Sequence, residues 1–206
     1  MEILNVGGNA VDAAIAANAV LGVCEPQTCG VGGDLFALVY VPGSPEPIAL
    51  NASGRAGAGA DPGLIRRTGP GAIPWNHALT ATVPGCVDGW EALSGRFGSL
   101  PLSQTLAPAI RLAEGGFPAS TELADALGRR DAAFRAQPSS RAFFESGEPR
   151  RGTRIRRPDL AKTLLGIAQG GRAAFYEGAP GEAITEATGS LIVATDLARR
   201  QSNWID

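Results

Sequence analysis

Small apolar residues fill the stretch from Ala10 to Val23 almost without a break: Ala13, Ala14, Ile15, Ala16, Ala17, Ala19 and Val20. A helix that is apolar on nearly every side is a buried helix. Asn9 ahead of it is a good N-cap, and Asp12 three residues on completes a capping-box-like start. Gly7 and Gly8 suit the left-handed closure of a preceding helix, which would hold only Met1 to Val6. The pattern then becomes continuously apolar over Leu35 to Val41, LFALVYV, and predicts a buried strand. The turn Pro42-Gly43-Ser44-Pro45-Glu46-Pro47 leads to a second strand, Ile48 to Ala52, so the two form a hairpin. Periodic segments predict helices over Cys86 to Phe97, Leu102 to Glu114, Ser120 to Phe134, Asp159 to Gln169 and Pro180 to Ala187. Asp159 follows Pro158, a typical helix start, and Thr195 to Arg200 begins another helical turn. Gly54 to Gly63 is Gly/Ala-rich and flexible by composition. Two strands stand against about seven helices. If they belong to a sheet, most of its other strands lie outside these residues, since a two-stranded hairpin is marginal by itself.

Composition sharpens this picture. Leu, Val, Ile and Phe number 47 of 206 residues, just above the level at which disorder becomes the default. The apolar content leans on 35 alanines, which with 28 glycines point to close backbone packing of helices. A net charge of -2 excludes global attraction to nucleic acid or an anionic membrane. No run of about 18 apolar residues exists, so a spanning helix is not expected. The N-terminal residues carry no basic region of a signal peptide, which makes the cytoplasm the default compartment. Cys24, Cys29 and Cys86 are too few and too odd in number for a disulfide framework, although a Cys24–Cys29 bridge stays open. With His77 the single histidine, the ordinary soft-ligand zinc cluster cannot be assembled.

The residues themselves supply no complete catalytic constellation. A Ser-His-Asp triad would need His77 as base, but no G-x-S-x-G elbow is present and His77 sits in a Pro- and Asn-containing loop. Gly30-Val31-Gly32-Gly33-Asp34-Leu35 has Leu35 where a dinucleotide fingerprint needs its third glycine, and it precedes a strand instead of following one. These glycines more simply allow close backbone approach, to the chain or to a ligand. Asp34 would serve structure or face a cleft; Asp12 is best read as a helix-start acid. From Arg129 to Arg157 nine arginines stand against Asp131, Glu145 and Glu148. That excess suits anions or nucleic acid, but no single-strand-binding motif frames it, and the plainer reading is a solvated surface.

The string GGNAVDAAIAANAVLGVCEPQTCGVGGDLFALVYV resembles the opening of the large subunit of the gamma-glutamyltransferase (gamma-glutamyltranspeptidase) family, which related bacterial cephalosporin acylases share. The likeness continues, in order, through LNASGRAG, ATVPGCVDGWEALSGRFGSLPL, LAPAIRLAEGGFP, AAFYEG and LIVATDLARR. The resemblance implies an α+β fold, part of an αββα N-terminal nucleophile hydrolase sandwich, with this chain a helix-rich large-subunit portion carrying a β-hairpin. It implies a precursor that cleaves itself in two, and a threonine that becomes the first residue of the small subunit. The threonine hydroxyl attacks the γ-glutamyl carbonyl with its own α-amine as base. The acyl-enzyme is resolved by water or an amine, with no metal and no organic cofactor.

The departures set further expectations. The Thr-Thr-His cleavage site of the family is absent, and the family precursor is more than twice as long. Residues 1–206 are therefore expected to be an incomplete large-subunit segment without catalytic residues of its own. It would need a Thr-led small subunit to cleave a γ-glutamyl or other N-acyl amide, and no nucleic-acid or membrane partner is expected. The alternative is a non-catalytic remnant or a binding module for small carboxylates, whose unpartnered sheet face would be a large apolar patch. The family places an arginine after its second hairpin strand to pair with the substrate α-carboxylate, a charge-assisted contact worth about 1.5–3 kcal/mol. Ser53 falls on that position and Arg55 lies two further on. A residue two along a strand faces the same side, so Ser53 and Arg55 are the candidate substrate-binding residues; a solvated surface arginine is the plainer alternative. The family is often exported, so the resemblance leaves the compartment open.

Overall fold

The computed structural model describes residues 1–67, 73, 77–130, 132–145 and 147–205. In chain order the elements are α1 (Glu2–Asn5), α2 (Ala10–Cys24), β1 (Leu35–Val39), β2 (Ile48–Ala52), α3 (Pro62–Arg67), α4 (Cys86–Phe97), α5 (Leu102–Thr105) and α6 (Ala107–Gly115). They continue with β3 (Phe117–Pro118), α7 (Thr121–Gly128), α8 (Ala132–Ala136), β4 (Arg154–Ile155), α9 (Pro158–Tyr176), α10 (Ala179–Ala187), α11 (Ala194–Ala198) and β5 (Asn203–Ile205). The class is α+β. The chain divides into two compact units, Met1–Gly30 with Gly98–Ala168, and Val31–Phe97 with Gln169–Asp206.

In the first unit α2 starts as its sequence predicts. Asn9 Oδ1 accepts from the amides of Val11 (2.8 Å) and Asp12 (3.1 Å), while Asp12 Oδ2 accepts from Asn9 N at 2.9 Å. Asp12 is fully buried, and its carboxylate also accepts from Ser99 N at 3.0 Å and Leu100 N at 3.4 Å. It thus ties the first turn of α2 to the segment entering α5. Ile15, Ala16, Ala19, Gly22 and Val23 form the buried face of α2, and α6 packs along it. Contrary to the expected all-round burial, Ala14, Ala17 and Leu21 are exposed. Alanine presents little apolar surface, so a face made largely of it tolerates water. The single helix expected over 102–114 is two, because Pro108 in the first turn of α6 has no amide to continue the ladder of α5. Likewise 120–134 divides at Gly128 into α7, capped by Ser120 Oγ on Leu123 N at 2.9 Å, and α8.

The arginine run has a structural use that its composition did not disclose. Arg154 donates through Nε and Nη2 to Gly115 O, at 3.1 and 2.6 Å, and Arg156 Nε donates to Glu114 O at 2.8 Å. Arg157 Nη1 donates to Gly22 O at 2.9 Å. These carbonyls end α6 and α2, where the helix dipole is negative and the backbone acceptors lack internal partners. Burial pulls the Arg157 guanidinium down to a pKa of about 10, and it lies 5.1 Å from the Phe143 ring centroid. Arg135 pairs with Glu148, and Asp131 lies outside the described residues. A two-residue ladder, Phe117 opposite Ile155, closes this unit with both side chains buried. Neither β3 nor β4 is long enough to leave an alternating pattern.

The second unit is built on an antiparallel sheet of order β1-β2-β5. Leu35 opposite Ala52, Ala37 opposite Leu50 and Val39 opposite Ile48 form the inner row, extended by Trp204 beside Leu50. α4 covers this face through Cys86, Val87, Gly89, Trp90 and Leu93. Its approach is so close that a Cβ on Gly85 would stand 1.7 Å from Ala52 O. Gly33 O accepts from the amides of Gly85 and Cys86, both at 2.9 Å, so the glycine loop before β1 caps α4. Tyr176, 2 % exposed, donates its hydroxyl to Pro84 O at 2.9 Å and accepts from Asp88 N at 3.1 Å. Burial, the dominant cause, raises its pKa well above the ordinary value.

α9 runs past its expected end but is interrupted at Gly171, where φ is +60°. Arg172 N there donates to Glu91 Oε2 at 2.5 Å, so a carboxylate from α4 restarts the helix. The outer sheet face is bare: Phe36, Leu38 and Ile205 are 68 %, 75 % and 56 % exposed, with Leu38, Ala49 and Ile205 in one cross-strand row. β5 is a strand that the pattern did not predict, three residues long and separated from α11 by only the 199–202 turn.

Asp12→Ala strands three part-buried amides, those of Asn9, Ser99 and Leu100, and is expected to lower stability by about 2–5 kcal/mol in urea unfolding, with Asp12→Asn costing less. Tyr176→Phe leaves Pro84 O and Asp88 N unmet and should cost about 1–3 kcal/mol at pH 7. A raised folded pKa contributes stability below the ordinary tyrosine value and loses it as pH rises through the folded one. The difference between wild type and Tyr176→Phe should therefore shrink above pH of about 10 in a pH series of unfolding curves.

Candidate functional site

The site of interest lies beyond the end of β2 in the second unit. Asn51 Oδ1 accepts from Ser53 N at 2.9 Å, and Asp34 Oδ1 accepts from Gly54 N at 2.7 Å. Asp34 therefore has a structural role. A Cβ on Gly54 would stand 2.1 Å from Val83 O, so only glycine fits there. Arg55 O then accepts from Val83 N at 2.9 Å. Further on, Gly59 N donates to Leu191 O at 3.1 Å, and a Cβ on Gly57 would stand 2.1 Å from the same oxygen. The stretch read as flexible by composition is thus pinned on both sides.

Arg55 is exposed and lines a cavity of about 240 Å³ together with Val83, Thr195, Asp196, Arg199 and Arg200. Ser53 is half-buried and does not figure among the described residues of that wall. Asp196 Oδ2 accepts from Ala58 N at 2.9 Å and from Val193 N at 3.0 Å. One carboxylate thereby starts α11 and holds the loop carrying Arg55 against it. The lining residues include three arginines and one acid whose charge is turned to backbone amides. Such a wall attracts carboxylates, for which the planar guanidinium is the fitted partner.

Sequence reasoning found Arg55 but not Arg199 and Arg200. They follow a five-residue helix and precede an unpredicted strand, and no spacing marked them. It also missed the buried network behind them. Asp88 Oδ1 accepts from Arg172 Nε at 3.0 Å, and its Oδ2 accepts from the amide of Ser202 at 2.5 Å and from the Ser202 hydroxyl. Arg172 Nη2 donates onward to the carbonyl of Arg200. His77 stands apart from this site: it is exposed, and its Nδ1 accepts from Leu79 N at 3.1 Å to start a short 3-10 turn. The three cysteines are free thiols, so the open Cys24–Cys29 bridge does not form. Among the described residues no group of three or more His, Cys, Asp or Glu side chains could hold a metal, and no helix is long and apolar enough to cross a membrane.

The model of the gamma-glutamyltranspeptidase family matches residues 1–206. The chain belongs to the gamma-glutamyltranspeptidase family. It is 35 % identical over 182 residues to the glutathione hydrolase proenzyme of Bacillus subtilis, covering 86 % of this chain and 31 % of that one. It is 38 % identical over 213 residues to the oxamate amidohydrolase proenzyme of Klebsiella pneumoniae, covering 98 % and 39 %. The crystal structure of Helicobacter pylori gamma-glutamyltranspeptidase superposes with a TM-score of 0.89 at 33 % identity, covering 98 % of this chain and 60 % of that one. The chain spans about a third of the length of the curated relatives it matches. The gamma-glutamyltranspeptidase fold is that of an N-terminal nucleophile hydrolase; the family is processed into a large and a small subunit and acts on small substrates.

Asp196→Ala removes the acceptor shared by Ala58 N and Val193 N and is expected to lower stability by about 1–3 kcal/mol in chemical unfolding. Asp196→Asn, which keeps one oxygen in place, should retain most of it.

Proposed function

We propose that residues 1–206 are a large-subunit segment of a gamma-glutamyltransferase/glutathione hydrolase-like enzyme that cleaves a γ-glutamyl or related N-acyl amide. In this reading a Thr-led small subunit supplies the nucleophile. Its hydroxyl attacks the acyl carbonyl and passes its proton to the α-amine. The C–N bond breaks as the leaving amine takes that proton, and water or an acceptor amine releases the acyl group. The present residues contribute binding, with Arg55 taking the substrate carboxylate and Ser53 positioned at the strand end beside it.

The observation that carries the reading is the arginine-bearing cavity just past β2, with the exposed Arg55 in its wall, in a chain that matches the family throughout. The bare face carrying Phe36, Leu38 and Ile205 supports it further, because an apolar sheet face of this kind suits a second sheet packed upon it. The second reading, a small-carboxylate-binding module without catalysis, draws on the same cavity.

The two separate on co-expression with a Thr-led small subunit and assay of γ-glutamyl-anilide and simpler N-acyl amides. Turnover is expected, with Arg55→Gln raising KM roughly 10- to 100-fold at little change in kcat, the loss of about 1.5–3 kcal/mol of charge-assisted binding. Carboxylate binding with no turnover of any such amide would sink the enzyme reading and favour the binding module.

A further inference from the structure

We propose that a cavity in the first unit, beside α7 and α8, binds a small aryl carboxylate, with the acid on Arg157 and the ring against Phe134 and Phe143. The cavity measures about 250 Å³, and Leu123, Ala126, Leu127, Phe134, Phe143 and Arg157 are among its lining residues. It shares no residue with the Arg55 cavity. Pockets for drug-sized molecules run to about 300–1,000 Å³, so this one suits a ligand of a single ring.

Arg157 uses only one corner of its guanidinium on the protein. Its Nη1 donates to Gly22 O at 2.9 Å and to Val23 O at 3.3 Å. Nε and Nη2 carry no hydrogen bond among the described residues, and neither is sealed from water. These two groups form one edge of the guanidinium plane, the edge that takes a carboxylate through two parallel hydrogen bonds. The bond to the end of α2 and the Phe143 ring, 5.1 Å away, hold that plane in position, so little side-chain freedom is left to lose on binding. Burial lowers the Arg157 pKa to about 10 and no carboxylate offsets it. Acids near in sequence are engaged elsewhere, Glu25 with Gln27 Nε2 and Glu148 with Arg135. A half-buried guanidinium with no counter-charge gains from an anion. Arg130, 5.6 Å from the Phe134 ring centroid, adds a second arginine to the lining. The remaining walls are aliphatic and aromatic. They gain nothing from a bare inorganic anion, whereas a ring against Phe134 and Phe143 buries apolar area on both sides.

Calorimetric titration of the purified protein with phenylacetate, its neutral isostere phenylacetamide, and acetate tests this. Phenylacetate is expected to bind roughly tenfold or more tighter than either, since the amide lacks the charge and acetate lacks the ring. Arg157→Lys, which keeps a donor for the α2 carbonyls but loses the paired edge, should cut the acid-over-amide margin several-fold and leave phenylacetamide affinity within about twofold. An Arg157 that only caps α2 would leave no such margin to cut. Ala126→Leu fills the cavity from α7 and should weaken phenylacetate at least tenfold. Ser139→Phe, at an exposed position of the same lining, should do likewise and serves if Ala126→Leu does not fold. Arg55→Gln should leave phenylacetate affinity within about twofold. Equal affinity for acid and amide overturns the inference. So does phenylacetate binding that survives the filling variants or is lost in Arg55→Gln, which would seat the acid in the other cavity.

Discussion

A buried carboxylate that collects amides from a distant part of the chain is the constraint on which each half of this protein is organised. In the second unit it is Asp88, on the inner face of α4, which holds Arg172 and the backbone of Ser202. Through Arg172 it also fixes the carbonyl of Arg200. The strand β5 and the turn before it are anchored by charge-assisted hydrogen bonds and little apolar area, since β5 has only three residues. In the first unit Asp12 does the same for the segment around Ser99 and Leu100. Both acids sit in the first turn of a helix, where the local dipole favours negative charge.

Arginine answers this arrangement at the opposite helix ends. Arg154, Arg156 and Arg157 meet the terminal carbonyls of α6 and α2. An Ala- and Gly-rich chain has few large side chains with which to lock helix ends together. Long guanidinium side chains reach across the gap and satisfy acceptors that would otherwise face each other unpaired. Arg55, Arg199 and Arg200 stand in the second unit and meet no helix-terminal carbonyl of this kind; Arg200 instead donates to the carbonyl of its neighbour Gln201.

Much of the fold was legible, and the reasons are local. The capping box at Asn9 and Asp12, the hairpin strand 48–52 and the helix 86–97 stand where the pattern put them, because each has caps or a turn of its own. The first hairpin strand, β1, ends two residues early, at Val39. What was not legible depends on contacts remote in sequence. β3, β4 and β5 exist only through their partners, and α9 continues past Gly171 only because Glu91 meets Arg172 N. The family likeness was readable from long blocks of sequence. Arg55 was singled out through the likeness, whereas Arg199 and Arg200, which line the same cavity, carry no mark in the sequence, since the turn after α11 is placed by contacts remote in sequence.

The glycines flanking Arg55 give that residue an unusual standing. Its main chain is clamped at Val83 on one side and, beyond Gly57, at Leu191 on the other. On the proposed reading, a ligand at the guanidinium would have no loop to order, only side-chain rotamers to restrict, so the entropic penalty of association would be confined to about 0.5–1.5 kcal/mol for that residue. Affinity at such a position responds chiefly to the charge and reach of the incoming group. Lengthening the 54–59 loop would weaken recognition without touching a single contact atom.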